Sequence, residues 1–423
     1  MIKINQEEKR TAKNTVMLYI IAVAKLIFPL LTLPYLTRIL SEESYGLVTY
    51  VKACMTYMHL IIDFGFILSS VKDIVNAKGD QEQIGYVVGH TFAAKTMLVG
   101  VSAVAMVVMC AAIPILRGNI MFTVLYFISV ALSAYIADFL FRGMEKMQII
   151  TIIFLISKAI SVAATFLLVH GERDLLLIPV LEIAANLVTV GLSFFYIRSF
   201  HIRIRMKNIR ACWEMLKDSF NYFISSMATT VFSVLNTILI GIVITDLNQV
   251  AYWGVCIQII SAIQGLYAPI TNGVYPHMIR KKDLRFVHKI LLMIMPVVTV
   301  GCVLCFLLSK TALWIVGGEN YVVAYRLFRC LIPVLFFSFP AQLYGWPTLG
   351  AVGLVKQTTA STVIAACLQI VGLVLLIVTN TMTLYTIAIL KCLIEFTFMV
   401  IRIFFTYTNR DKFAVAAEDG GVM

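Results

Sequence analysis

Charge is what this sequence has least of. Asp, Glu, Lys and Arg make up 13% of its 423 residues, while 61% are hydrophobic. A soluble globular protein is about one quarter charged, so a chain this poor in charge is not built for water on all sides. Long polar segments are missing too, and no soluble domain is inserted between the apolar runs. None of the nine cysteines falls in a loop expected outside the cell, which argues against a disulfide framework. Cys302 and Cys305 spell C-x-x-C, but inside an apolar helix with no His or carboxylate nearby. That is the setting of two buried thiols, not of a metal or redox centre. No G-x-x-x-x-G-K-[ST], H-E-x-x-H, G-x-S-x-G or kinase set occurs, so the chain carries no P-loop and none of the usual hydrolase motifs. No catalytic residue, metal ligand or cofactor is expected. His59, the only histidine deep in a span, stands alone and reads as a satisfied core residue.

What is present is a series of apolar runs of about 20 residues, each long enough to cross a hydrocarbon core about 30 Å thick. Twelve spans are expected, over 14–38, 47–70, 85–114, 119–141, 147–170, 175–197, 218–245, 249–275, 289–310, 322–345, 358–379 and 383–407. Lipid-exposed backbone must satisfy its own hydrogen bonds, which leaves helices or closed barrels, and these segments are too long and too uniformly apolar for barrel strands. The first span is too long for a cleaved signal peptide and has no small-residue cleavage site after it. With the N-terminus placed in the cytoplasm, the inside segments hold 22 of the 34 Lys and Arg and the outside loops hold 4. The positive-inside bias therefore predicts an N-in, C-in topology. It also accounts for most of the +12 net charge. No basic patch interleaved with aromatics stands on a polar surface, so nucleic acid is not an expected partner.

The longest polar connection, 198–217, carries Arg198, Arg203, Arg205, Lys207, Arg210 and Lys217 at the middle of the chain. It reads as a basic tether that fixes topology, with an apolar side suited to lying along the anionic inner leaflet. It divides the chain into a six-helix lobe over 1–197, the cytoplasmic linker 198–217, a second six-helix lobe over 218–410 and a flexible tail over 411–423. A weak repeat supports the division: Asn14 and Tyr45 have the same spacing as Asn221 and Tyr252. Parallel repeats about an axis along the membrane normal are a transporter architecture. The expected fold is thus all-α, with twelve transmembrane helices in two six-helix lobes around a central cavity.

Polar residues inside the spans fall in stripes. Lys52, Thr56, His59 and Asp63 follow at helical spacing, as do Asp138, Arg142 and Glu145. Further stripes hold Glu182, Asn186, Thr189 and Ser193, and Asn221, Ser225, Thr229, Ser233 and Asn236. Lys158, Arg326, Arg329, Lys391, Glu395 and Arg402 add charge. Stripes of Ser, Thr and Gly also serve ordinary helix packing. Lys391 with Glu395, and Asp138 with Arg142, are spaced to neutralise each other. Lys25 stands apart. It lies roughly 16–20 Å from either end of its span at about 1.5 Å per residue, beyond the roughly 6 Å that a lysine stem can snorkel. It needs a carboxylate, with Asp63 the candidate, or a hydrated cavity, or an anionic ligand. Pro29 and Pro34 follow on the same helix and weaken its backbone bonding, which makes them the expected hinge.

"LTLPYLTRILSEESYGLVTY" (31–50) followed by "DFGF" (63–66) resembles the Wzx-type polysaccharide flippases of the multidrug/oligosaccharidyl-lipid/polysaccharide exporter superfamily. "FLFRGMEKM" (139–147), "AYWG" (251–254) and "VGGENY" (316–321) are similar to later segments of that family, in the same order. The chain departs from the family pattern at Ser41, at Ala251-Tyr252-Trp253 and at Arg142, where members commonly carry Gly, Gly-Tyr-Tyr and Gln. The resemblance implies transfer of undecaprenyl-diphosphate-linked oligosaccharides to the outer leaflet of the bacterial inner membrane, by alternating access driven by a proton or sodium gradient. Polysaccharide polymerase and chain-length machinery are the implied partners. On that reading Lys25, Lys52, Arg142 and Asn236 are the expected substrate-binding residues, and Asp63 and Asp138 the ion-coupling ones. A drug antiporter of the same superfamily is a rival, but a cationic drug calls for acids in the cavity. A membrane polymerase or ligase needs more outside polar surface than these short loops offer.

Overall fold

A computed structural model describes residues 6–413, and every regular element among them is helical. The first five residues and most of the expected tail over 411–423 lie outside the described residues. Among the described residues, eleven helical segments are long and apolar enough to cross a membrane. A twelfth helix of 25 residues, Leu384–Thr408, carries Lys391, Glu395 and Arg402 along an otherwise apolar sequence. Large apolar side chains stand on the outer surface of these helices: Val104, Val108, Leu292 and Val300 are all more than half exposed. Such a surface is stable only against lipid. The chain is a multi-pass membrane protein.

Contacts divide the chain into two compact units, Met1–Thr230 and Val231–Met423. The first is built from α1 (Gln6–Ile39), α2 (Glu42–Asp63), α3 (Phe66–Asn76), α4 (Gln81–Ala112), α5 (Pro114–Gly118), α6 (Ile120–Ser133), α7 (Asp138–Gly143), α8 (Met147–Leu168), α9 (Leu177–Ser199) and the first part of α10 (Ile209–Leu239). The second holds the end of α10, a π-helical turn over Ile240–Ile244, α11 (Leu247–Gly265), α12 (Ala268–Lys281), α13 (Leu284–Leu307), α14 (Ser309–Gly317), α15 (Tyr325–Tyr344), a second π-helical turn over Gly345–Gly350, α16 (Val355–Val378) and α17 (Leu384–Thr408). The division falls inside α10 rather than at the linker. The linker belongs to the first unit because it is docked there. The Arg205 backbone N–H donates to the Gly85 carbonyl at 3.2 Å, and the Lys207 N–H donates to His90 Nε2 at 3.1 Å. A Cβ at Gly85 or Gly89 would run into the carbonyls of Arg203 and Arg205. Two small residues one turn apart on α4 thus admit an extended strap.

Short loops start helices with polar caps. Ser41 accepts from the Ser44 N–H and starts α2. Asp80 caps α4, Asp246 α11 and Asp283 α13, and Thr383 with Thr386 forms a capping box on α17. Ser41, one of the departures from the family pattern, is therefore the stronger capping choice, since its hydroxyl satisfies an N–H that glycine leaves open.

Two spans of the first unit are broken, and neither break is at the prolines of α1. That helix runs unbroken past Pro29 and Pro34. Side chains add local contacts along it: Thr32 Oγ1 donates to the Phe28 carbonyl, and Arg38 donates to that of Pro34. The breaks lie elsewhere. Phe64 and Gly65 take left-handed conformations, with φ of 44° and 82°, and separate α2 from α3 within "DFGF". Gly65 is required twice over, by its φ and because a Cβ there would meet Tyr222 on α10. Phe64 stacks on Phe223 at 4.4 Å. The second break, over Ala134–Ala137, separates α6 from α7. The α9 stripe mends it: Ala137 N–H donates to Ser193 Oγ at 2.9 Å, and Asn186 donates to the Ser129 carbonyl and hydroxyl. In a membrane such freed backbone groups need a protein partner.

The remaining family segments are packing joints. In "FLFRGMEKM", Phe139, Leu140 and Phe141 are buried, and Gly143 lets α7 lie against Ile74 of α3. In the second unit "AYWG" meets "VGGENY": Tyr252 packs edge-on against Tyr321 at 5.9 Å.

Candidate functional site

The first unit contains a cavity of about 360 Å³ inside the membrane-spanning helices. Its walls follow from helical spacing. On α1, Lys25, Pro29, Thr32 and Leu36 step by four, three and four; on α8, Phe154, Lys158, Ser161 and Thr165 do the same; α2 adds Lys52, and α9 adds Ile178 and Glu182 one turn apart. The cavity is therefore a place where the polar edges of four helices converge. α1 packs on α8, and α8 on α9.

Its electrostatics are unbalanced. Three ammonium groups line it and one carboxylate. Lys52 Nζ lies 3.2 Å from Glu182 Oε1. Lys25 and Lys158 have no carboxylate within ion-pair distance among the described residues. Lys25 Nζ sits 5.8 Å from the centre of the Phe154 ring, and Lys52 Nζ 5.7 Å from that of Tyr126. Ring faces of this kind attract a cation weakly and leave its hydrogen-bond donors free. An uncompensated ammonium at membrane depth is stable only beside water or an anion. The arrangement thus presents donors and positive charge to something negative.

Among the expected site residues, Lys25, Lys52 and Pro29 stand on this cavity. Pro34 does not; its carbonyl accepts from Arg38. Asp63, the candidate partner of Lys25, instead pairs with Lys95 of α4 at 3.1 Å. The Lys95 side chain is 7% exposed and that of Asp63 25%, and Lys95 Nζ also lies 5.7 Å from the Phe139 ring. Asp138 and Arg142, one turn apart on α7, form no ion pair, and Arg142 Nε is buried without a partner. The expected Lys391–Glu395 pair is likewise absent: both side chains are buried, and Lys391 Nζ sits 5.0 Å from the Phe232 ring. In both cases sequence spacing allows the contact but the rotamers point elsewhere. Asn236 is in the second unit, 1% exposed, where its Oδ1 accepts from Gln369 Nε2 at 2.6 Å. It does not belong to the cavity.

Two cavity residues were not among those expected. Lys158 carried a signal, since Ser161 and Thr165 continue its face. Glu182 heads a stripe in which Asn186 and Ser193 bond across to the α6–α7 region, and nothing in its spacing separates the two roles. Lys95 was also missed as a pair member, although it is the one charge within the apolar body of α4 and a buried charge demands a partner.

A family model described as "Polysaccharide biosynthesis protein" matches residues 11–282, from α1 to α12. The chain is 28% identical over 284 residues to a "Putative O-antigen transporter" of Shigella dysenteriae, covering 66% of this chain and 70% of that protein. It is 22% identical over 278 residues to a protein of the same description from Escherichia coli strain K12, covering 64% and 66%. Among solved structures, the lipid II flippase MurJ in an inward closed conformation aligns with a TM-score of 0.70 at 13% identity, over 95% of this chain and 89% of that one. An inward-facing multidrug resistance MATE transporter of the MOP superfamily aligns with a TM-score of 0.65 at 12% identity, over 91% and 98%. At these identities the structural likeness concerns the fold.

Proposed function

The chain belongs to the polysaccharide biosynthesis protein family, and from that premise we propose that it is a flippase for lipid-linked oligosaccharides that serve surface polysaccharide assembly. The observation that carries this reading is the lysine-lined cavity of the first unit, with Lys25, Lys52 and Lys158 against the single Glu182. An undecaprenyl diphosphate head carries negative charge that hydrocarbon rejects. Ammonium groups inside the membrane replace its counter-ions, while the lipid tail stays in the bilayer. The descriptions of the two bacterial relatives support the same cargo class. The cavity's charge disfavours the rival reading of a cationic-drug antiporter, which needs acids where this chain places lysines.

The positive-inside bias supports cytoplasmic N- and C-termini and residence in the bacterial inner membrane. Cation-coupled alternating access supplies the driving force in this scheme. Asp138, which has no ion-pair partner among the described residues, is a better candidate for carrying the coupling ion than Asp63, which Lys95 neutralises. Polysaccharide polymerase and chain-length machinery then act on the delivered units.

The test is made in cells that depend on this gene for surface polysaccharide. Deleting the gene is expected to abolish the surface polymer and to trap lipid-linked units on the cytoplasmic side; an unchanged surface polymer would refute the proposal. Lys25→Ala is expected to lower export at least tenfold at unchanged protein level. Normal export by that variant removes Lys25 from the mechanism. Reconstituted transport indifferent to proton and sodium gradients removes the coupling.

A further inference from the structure

Glu182 is out of place in a cavity that otherwise collects positive charge. Among the described residues it is the only carboxylate on the cavity wall, and it holds Lys52, whose own side chain remains 46% exposed. If the wall existed only to bind an anion as tightly as chance allows, Glu182 would be a defect. The charges nevertheless balance in a particular way. Three ammonium groups less one carboxylate leave a formal +2. A diphosphate diester bears one ionised oxygen on each phosphorus, so the cavity with Glu182 matches that cargo, and without it is one charge in excess.

We infer that Glu182 is a resident counter-anion: it occupies Lys52 in the empty cavity, yields Lys52 to a phosphate of the cargo, and takes it back when the cargo leaves. The inference rests on the reading of the cavity as a diphosphate site. The reason is physical. A transport site must bind strongly enough to load and weakly enough to unload. Each incoming phosphate that reaches Lys52 first has to break a 3.2 Å ion pair, so part of its attraction is spent in exchange rather than in net binding. On departure Lys52 is not left unpaired at membrane depth, a state that otherwise opposes release. Lys25 and Lys158, which have no such partner, provide the standing attraction.

The experiment uses the full-length protein in lipid nanodiscs with a farnesyl-diphosphate-linked sugar, a diphosphate diester, as the probe, binding being followed by displacement of a fluorescent analogue of the same diester. Glu182→Gln is expected to bind the probe about tenfold more tightly than the unaltered protein, with a steeper loss of affinity as salt rises, and to export surface polysaccharide more slowly in cells. In a Lys52→Ala background the same substitution is expected to change affinity less than twofold, because the carboxylate acts through Lys52. Equal or weaker binding by Glu182→Gln, with an unchanged melting temperature, overturns the inference. An undiminished gain in the Lys52→Ala background overturns it as well, since Glu182 would then act only as a distant charge. If Glu182→Gln does not fold, Glu182→Ala, which removes the same charge with less polar surface, is measured in its place. Failure of the unaltered folded protein to bind any diphosphate is a different result: it removes the anion-site reading, and this inference with it.

Discussion

The pair of Lys95 with Asp63 gives a decisive test of how this protein handles charge inside the membrane. The two groups are 3.1 Å apart. At an effective dielectric of about 20 their attraction is about 5 kcal/mol, most of which offsets the cost of taking both from water. The intact pair therefore adds little net stability, but removing one partner strands the other at a cost of about 3–5 kcal/mol. The exposures make the cost asymmetric. Asp63→Asn strands Lys95, whose side chain is 7% exposed, whereas Lys95→Met strands Asp63, whose side chain is 25% exposed. The first variant is expected to lose more stability than the second, by about 1 kcal/mol, and the double variant is expected to recover about 2–3 kcal/mol relative to the sum of the singles. Unfolding of the purified protein in mixed micelles against rising dodecyl sulfate measures all four states. Single variants within about 0.5 kcal/mol of the unaltered protein, with no coupling, would refute the reasoning, because a buried pair cannot be silent when halved. The same variants separate two roles for Asp63. Transport retained by the double variant makes the pair structural; transport lost at full stability assigns Asp63 to ion coupling.

Two other expectations are smaller in scope. Gly65→Ala places a Cβ against Tyr222 at a φ of 82°, so it is expected to cost about 1–3 kcal/mol and to lower the melting temperature; an unchanged melting curve would mean that the α2–α3 break adapts freely. Arg402, 7% exposed, donates to the Ala341 carbonyl at 2.6 Å and to Ser361 at 3.1 Å, with the guanidinium against Gly345. Arg402→Lys keeps the charge but loses the planar fork, and is expected to destabilise the second unit by about 2 kcal/mol, read as earlier trypsin cleavage of that unit on heating. Equal cleavage profiles would show that charge alone suffices there.

The class of this protein is written in its composition. Apolar runs of the length of a bilayer, a charge content of 13% and an excess of inside Lys and Arg depend only on local sequence, and they determine a polytopic helical protein with a predicted topology. The depth of Lys25 is equally local, because the rise per residue of a helix is fixed; the demand for water or an anion beside it follows without any knowledge of its neighbours. The family segments were legible as strings, though not as what they do. "DFGF" turned out to be a helix break closed by Phe223 and Tyr222, and "AYWG" and "VGGENY" two sides of one aromatic joint.

Tertiary structure decided which charges meet. Helical spacing gives the face of a residue on its own helix but leaves open the rotation and slide of that helix against the next. Asp63 could therefore be placed near either lysine, and packing of α2 on α4 gave it to Lys95 rather than Lys25. Spacing likewise permitted Asp138–Arg142 and Lys391–Glu395, and neither pair closed. The prolines of α1 marked a place where bending is cheap, yet the helix stays continuous there and the breaks fall at Phe64–Gly65 and Ala134–Ala137, where a neighbouring helix supplies the missing contacts. The sequence by itself determined that a lysine at position 25 must face something other than lipid. Only the packing of α1, α2, α8 and α9 decided that it would share a cavity with Lys52, Lys158 and Glu182, because convergence of four helices is a property of their mutual rotation and not of any one of them.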